Sequence, residues 1–280
     1  MSISVTPGFV SVSARRLFCM RYGPGAAPVT RRVLVIAPFG EEMNKCRRLL
    51  AQLCRALAAR GAEVWVPDLY GTGDSEGDFS EASWSDWQND VVAVDAEAAV
   101  AVGALPVVYL ALRTGALLLA QVHARLPQFP GATVMLWQPV LEGSRYLAQF
   151  LRLRVMASRL AGQDESQQQL MQQLAEGHSI EVAGYGLSPA LAFGLQDARA
   201  GAADFARAAA LCVLEFKFAE AAQASVPVQN FVRDCIASDT SAYVQVINCE
   251  QFWATQEIAA PQAAIDASLD MLSGLAPAAP

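Results

Sequence analysis

A turn centred on Arg113 has the spacing of a catalytic site but not its residue type. The apolar run at 106–110 predicts a buried strand, Thr114 begins a segment with helical spacing, and the pattern between them is Ala111-x-Arg113-x-Gly115. A side chain at such a strand-to-helix turn is held at the tip of the strand, beside backbone N–H groups, where a serine nucleophile can be placed. A guanidinium keeps its proton at physiological pH and is no nucleophile, so this turn is better suited to binding an acid.

Two acidic residues, Glu41 and Glu42, occupy the segment 38–45 between the predicted strand at 32–37 and the following helix. Carboxylates have the wrong charge to stabilise an oxyanion, so we predict that one of them pairs with Arg113 at the floor of a pocket. The alternative is that both are solvated charges favoured by the helix dipole. The predicted pocket and turn residues are Gly40, Glu41, Glu42, Asn44, Leu112, Arg113, Thr114 and Gln138.

Histidine, the proton acceptor of a serine triad, occurs only as His123 and His178. The segment 248–253, after the last predicted strand, contains none. His123 follows Arg113 by roughly 15 Å of helix and is too far away. His178 lies where it could reach the pocket mouth, and Cys46 could be activated by a helix N-terminus, so these two are the alternative catalytic candidates. Ser75 is better explained as a hydrogen-bonding turn residue.

The segments that position these residues alternate between strand-like and helix-like patterns. The predicted strands are 32–37, 63–67, 106–110 and 132–137, and the predicted helices are 44–60, 85–102 and 114–125. Strands separated by helices in this way form a parallel sheet with helices on both faces. The later pattern is mostly helical at 143–204, with a β-like piece at 179–185, followed by strands at 211–216 and 242–248 and helices at 226–236 and 258–275; residues 1–17 are polar and β-like.

This order predicts a domain with an insertion. We expect a core with its first part at 1–143 and its second part at 206–274, an inserted helical lid at 144–205 and a flexible tail at 275–280. A chain of 280 residues with 54% hydrophobic side chains has ample material for one large core. The six cysteines are scattered and form no CxxC pair, which indicates buried free thiols.

The charge and the missing motifs limit the classes of function. A net charge of −7 without a clustered basic face argues against nucleic-acid binding. The sequence has neither a phosphate-binding glycine motif nor a metal-ligand spacing, so we expect no cofactor and no metal. It also lacks a signal-type N-terminus and an uninterrupted apolar stretch of about 20 residues, from which we expect a cytoplasmic protein without a transmembrane segment.

Several motifs together resemble one known family. They are FGEEMNK at 39–45, DLYGTGDS at 68–75, LRTGAL at 112–117, WQPV at 137–140 with Gly143, GY at 184–185, and FWATQEI at 252–258. The chain resembles the exosortase A system-associated hydrolase family, type 2, from about Val33 to Pro261. The resemblance implies an α/β-hydrolase fold, with a mostly parallel central sheet, helices on both faces and an inserted lid. It also implies a place in exopolysaccharide-associated protein sorting, but it names no substrate.

Three functional hypotheses follow. The first is a degenerate hydrolase that binds a small acidic ligand, or a partner, near Arg113. The second is an active hydrolase of an acyl, ester or thioester bond that uses a non-standard group such as His178 or Cys46. The third is a partner-binding scaffold whose predicted lid helix at 146–160 presents arginines to another protein. Whether the protein is an enzyme, and its oligomeric state, are left open by the sequence.

Overall fold

The computed structural model describes residues 2–220 and 222–274, so the predicted tail at 275–280 lies outside the described residues. The strands are β1 (Ser4–Val12), β2 (Arg15–Gly23), β3 (Arg31–Ile36), β4 (Ala62–Pro67), β5 (Val107–Leu112), β6 (Thr133–Trp137), β7 (Ile180–Val182), β8 (Tyr185–Leu187), β9 (Ala210–Lys217) and β10 (Ala242–Asn248). The helices are α1 (Gly40–Ala58), α2 (Trp84–Val102), α3 (Gly115–Val122), α4 (Gly143–Leu160), α5 (Gln167–Ala175), α6 (Pro189–Asp197), α7 (Ala202–Phe205), α8 (Val226–Ala237) and α9 (Gln262–Gly274).

Eight of these strands form one sheet in the order β1-β2-β4-β3-β5-β6-β9-β10. The pairs β1–β2 and β2–β4 are antiparallel, and every other neighbouring pair is parallel. The central strand β5 is buried along its whole length, as expected of a parallel strand covered on both faces. The predicted mostly parallel sheet with helices on both faces is therefore confirmed.

Each face of the sheet has its own hydrophobic core. Helices α1 and α9 cover one face, where Leu49 and Leu53 pack against strand residues such as Val33 and Leu110. Helices α2, α3 and α8 cover the other face together with α4, α5 and α6. None of the helices among the described residues combines the length and apolar character that a bilayer crossing requires.

Some predicted element boundaries were wrong. Helix α1 begins at Gly40, not at residue 44, because Gly40 adopts a φ of +61° that turns the chain sharply out of β3. Helix α9 begins at Gln262, not at 258, directly after Pro261, a residue that favours the start of a helix. Helix α3 ends at Val122, and a short 3₁₀ turn covers His123–Arg125. Strand β2 was not predicted, since its arginines, Cys19 and Met20 do not give a clear apolar alternation.

Residues 144–205, which were predicted to be an insertion and are called the inserted segment below, hold all of α4 except Gly143, together with α5 to α7 and the β7–β8 hairpin. The apolar residues of this segment, among them Phe150, Leu170 and Leu191, belong to the same core cluster as the sheet residues Ile36 and Ala111. The segment is therefore packed against the sheet continuously, and its description as a separate lid stays a prediction.

Candidate active site

Arg113 lies on a sharp turn between the central strand and a helix. Strand β5 ends at Leu112, and α3 begins at Gly115. Arg113 has a φ of +51°, an uncommon conformation for a residue with a side chain, and its backbone N–H donates to the Trp137 carbonyl at 3.0 Å. A Cβ atom on Gly115 would clash with the Ile36 carbonyl oxygen, so glycine lets α3 lie close to the sheet. The predicted strand-turn-helix geometry is confirmed.

The Arg113 guanidinium is paired with Glu42. Nη2 lies 3.0 Å from Glu42 Oε1 and Nε lies 3.2 Å from Oε2, which is a two-pronged arrangement. Nη1 donates to the Gln138 carbonyl at 3.3 Å. The side chains of Arg113 and Glu42 are only 15% and 19% exposed, so the two charges neutralise each other with little help from solvent.

Two aromatic rings contact the same guanidinium. The ring centre of Trp253 lies 5.0 Å from Arg113 Cζ, and that of Tyr146 lies 5.9 Å away. Both distances are typical of cation–π contacts. Burial and the negative charge of Glu42 raise the pKa of Tyr146 well above its ordinary value, so this phenol stays neutral. Trp253 follows β10, the place where a serine triad would carry its histidine.

Glu41 points away from Arg113. Its carboxylate accepts from Asn44 Nδ2 at 3.4 Å and lies 3.6 Å from Lys45 Nζ. Asn44 also donates to the Tyr185 hydroxyl at 2.8 Å. Successive residues of a helix differ by about 100° in direction, which separates Glu41 from Glu42 once α1 begins at Gly40. Of the two predicted partners, only Glu42 pairs with Arg113.

The remaining predicted pocket residues support the turn. Leu112 and Thr114 are buried on either side of Arg113. Gln138 has a φ of +41°, and its side-chain oxygen accepts from the Phe216 N–H at 2.8 Å, which ties the ends of β6 and β9 together. A Cβ atom added to Gly40 would be in ordinary contact with the Tyr185 ring. These residues fix the backbone around Arg113, and Gln138 also faces a cavity.

The cavity beside Arg113 and Gln138 has a volume of about 610 Å³. Its wall includes the charged residues Glu142, Arg145, Arg199, Glu215 and Asp234, none of which was among the predicted pocket residues. Glu215 follows Leu214, the register partner of Trp137, so it comes one strand beyond Gln138 at the same sheet edge. That register could have been predicted from the strand ends, whereas Arg199 comes from the inserted segment and carries no sequence signal.

The charged groups of the cavity wall differ in whether they already have an ion-pair or hydrogen-bond partner. Arg145 pairs with Glu142 at 2.9 Å, although both side chains are largely exposed. Glu215 accepts from the N–H and the hydroxyl of Ser225 at 2.5 and 2.6 Å. Arg199 is exposed and has no ion-pair partner among the residues that the structure describes.

Neither alternative catalytic candidate has the geometry of a nucleophile or base at this turn. Cys46 is fully buried in the core between α1 and the sheet, and burial, with a further contribution from the charge of Glu42, raises the pKa of its thiol. A neutral buried thiol is a poor nucleophile. His178 follows α5, is 70% exposed, lies 3.9 Å from Glu176, and does not line the cavity.

The glycine-rich loop at 68–75 is built as a turn. Gly71 and Gly73 have φ values of +71° and +53°. The buried Asp68 carboxylate accepts from the N–H of Asp74 and from Arg47, both at 3.0 Å. Ser75 Oγ donates to the Asp68 carbonyl at 2.6 Å, so its prediction as a hydrogen-bonding turn residue is confirmed.

The sheet order, its parallel centre and the strand-turn-helix at Arg113 define an α/β-hydrolase fold. The chain belongs to the serine aminopeptidase S33 family, whose sequence profile matches residues 29–193. The turn between β5 and α3, where a serine hydrolase carries its nucleophile, is called the elbow below. In this chain the elbow carries Arg113 rather than serine. Within residues 2–220 and 222–274, no group of three or more His, Cys, Asp or Glu side chains is arranged to hold a metal ion.

Solved structures of esterases and hydrolases are similar to the whole chain. Est1E from Butyrivibrio proteoclasticus, with ferulic acid bound, gives a TM-score of 0.71 at 12% identity, over 95% of this chain and 98% of that one. Brefeldin A esterase, a bacterial homologue of human hormone-sensitive lipase, gives 0.58 at 16% identity, over 97% and 76%. Mouse alpha/beta hydrolase domain-containing protein 10 gives 0.55 at 13% identity, over 97% and 100%. No curated protein sequence matches significantly.

Proposed function

We propose that this protein is a degenerate α/β-hydrolase that binds a small acidic ligand in the cavity beside Arg113 and does not hydrolyse it. The observation that carries the proposal is the neutralised guanidinium at the elbow, which occupies the place of a nucleophile and lines a cavity of about 610 Å³. A cavity of this size is within the range of small-molecule sites.

The absence of hydrolysis rests on three residues, each from a different part of the chain. Arg113 cannot be deprotonated to attack a carbonyl carbon. Glu42, in the first turn of α1 where a serine hydrolase would stabilise an oxyanion, places a carboxylate there. Trp253, after β10, offers no group that could accept a proton. Each of the three parts of a serine-hydrolase mechanism is replaced by a group with a different chemistry.

The preference for an acid rests on the cations of the cavity wall. Arg199 is exposed and unpaired within the described part of the chain, and the Arg145–Glu142 pair is exposed enough for a ligand carboxylate to compete. Val140, Leu141 and Phe231 supply apolar wall for the remainder of the ligand. A small organic acid with an apolar body matches this combination of groups.

Calorimetric titration with ferulic acid, which Est1E binds, and with a series of aliphatic carboxylates tests the ligand class. We expect saturable binding that weakens at least tenfold in Arg199→Ala. Arg199 has no ion-pair partner within the described part of the chain, so it is free to pair with the carboxylate of the ligand. Arg207→Ala, which removes an exposed arginine that does not line the cavity, is the matched control. Binding that is absent throughout, or that is equally strong in Arg199→Ala, would contradict the proposal.

Turnover of p-nitrophenyl esters and labelling by a fluorophosphonate probe test whether the protein lacks serine-hydrolase activity. We expect neither for the wild type, and neither for Arg113→Ser, because that variant regains a hydroxyl without a histidine to activate it. Ester turnover that is lost in His178→Ala or Cys46→Ala would favour the active-hydrolase alternative instead.

The motif resemblance supports a further assignment, to a cytoplasmic role in exopolysaccharide-associated protein sorting. Affinity purification of the tagged protein from its native host, followed by mass spectrometry, tests this assignment. Recovery without any sorting or exopolysaccharide component would argue against it.

A further inference from the structure

Helix α4 carries an exposed apolar stripe on its outer side. Leu153, Met156 and Leu160 are 49%, 63% and 90% exposed, and their spacing of three and four residues places them on one face. The opposite side of the same helix is buried through Leu147, Leu151 and Ser158. Exposed apolar side chains gathered on one helix face mark an interaction surface more often than scattered ones do.

The charges of α4 are all of one sign. Residues 143–160 contain four arginines and no acidic residue, in a chain whose net charge is −7. Arg145 and Arg154 pair with Glu142 and Glu165. In residues 2–220 and 222–274, no carboxylate is close enough to pair with Arg152 or Arg159, and both are exposed. These two arginines are seven residues apart and therefore line up beside the apolar stripe.

We propose that this face of α4, formed by Arg152, Leu153, Met156, Arg159 and Leu160, docks on an anionic lipid bilayer. An amphipathic helix with arginines beside protruding leucine and methionine side chains places the apolar groups among the acyl chains and the guanidinium groups at the phosphates. A standard protein–protein interface takes about 20–30 residues a side, far more than this stripe offers, whereas a bilayer surface can be bound reversibly by a few.

Sedimentation of the full-length protein with vesicles tests the docking. Vesicles of phosphatidylcholine with about a third phosphatidylglycerol present the anionic surface, and pure phosphatidylcholine vesicles are the neutral comparison. We expect binding to the anionic vesicles that falls at least fivefold in 0.5 M NaCl, and at least fivefold in Arg152→Glu/Arg159→Glu and in Leu153→Ser/Met156→Ser/Leu160→Ser.

Matched controls change the same residue types elsewhere on the surface. Arg207→Glu and Val100→Ser replace an exposed arginine and an exposed valine outside α4, and we expect both to bind anionic vesicles like the wild type. Failure to bind anionic vesicles, or equal loss in the control variants, would overturn the proposal. A dimer in light scattering that the α4 variants convert to a monomer would also overturn it, by showing that a second copy covers this face.

Discussion

Arg113 occupies a backbone conformation that is strained for any residue with a side chain. A φ of +51° costs of the order of 1–3 kcal/mol and persists only where the surroundings hold it. Here the ladder bond to Trp137, the contact with Glu42 and the two aromatic rings provide that support. The turn is therefore retained without the nucleophile for which such turns are known.

A double-mutant cycle measures the pairing of Arg113 with Glu42. Arg113→Ala leaves a largely buried carboxylate without its counter-ion, so we expect a loss of roughly 3 kcal/mol in the free energy of unfolding. We expect Glu42→Gln to be less harmful, and the two changes to couple by roughly 1–3 kcal/mol in urea denaturation.

The exposed pair Arg16–Glu76 is the control for that cycle, because its atoms are as close, at 2.7 Å, but solvent screens both groups. Its coupling should be much smaller. Equal coupling in the two pairs, or an Arg113→Ala variant as stable as the wild type, would mean that burial gives the Arg113 pair no special strength.

For single residues, the sequence predicted that Arg113 would pair with an acidic residue, because the ends of neighbouring parallel strands lie at one edge of the sheet. It could not choose between Glu41 and Glu42, since that choice depends on the residue at which α1 begins. Trp253 and Arg199 were not predicted at all. Their positions depend on the path of a long loop and of the inserted segment, which local residue patterns do not determine.

Among the elements, α3 depends on the small residue at its start. Gly115→Ala places a methyl group against the Ile36 carbonyl, a backbone atom that cannot move aside, so we expect a loss of roughly 1–3 kcal/mol in stability. Thermal denaturation compares this variant with Gly8→Ala. The new methyl group of Gly8→Ala lies in open space on an exposed strand, so we expect little loss of stability there. A Gly115→Ala protein that melts with the wild type would refute the close packing of α3.

The parallel strands β3 to β6 were predictable because each is a short apolar run bounded by turn residues and followed by helical spacing. Strand β2 was not, because it is only partly buried, and its residues Arg15, Arg16 and Arg21 hide the apolar pattern. The start of α1 was misplaced because Glu41 and Glu42 resemble loop residues. Both also serve well in the first turn of a helix.

Over the whole molecule, the two cores enclose all six cysteines. Burial raises the pKa of Cys19, Cys54 and Cys212 to about 12, and that of Cys235 and Cys249 to about 11. We therefore expect iodoacetamide at pH 8 to modify none of the six in the native protein and all of them in guanidinium chloride, as counted by mass spectrometry.

A Val100→Cys variant, with an exposed thiol, should be modified once under the native conditions and so serves as the control. Rapid native modification of Cys46 would contradict the burial seen for it and would strengthen the case for an active hydrolase. Slow modification of all six at one common rate would instead report cooperative opening of the two cores together.

The contacts around the elbow also bear on evolutionary reversibility. Arg113, Glu42 and Trp253 come from three separate parts of the chain, and Arg113 contacts both of the others. A chance substitution that restored serine at 113 would strip Glu42 of its counter-ion and Trp253 of its stacking partner, yet would confer no catalysis without a histidine. If the protein is a degenerate hydrolase, as proposed above, we expect every single step back to be less stable than the present state and no more active, so that selection for stability alone would preserve the trio.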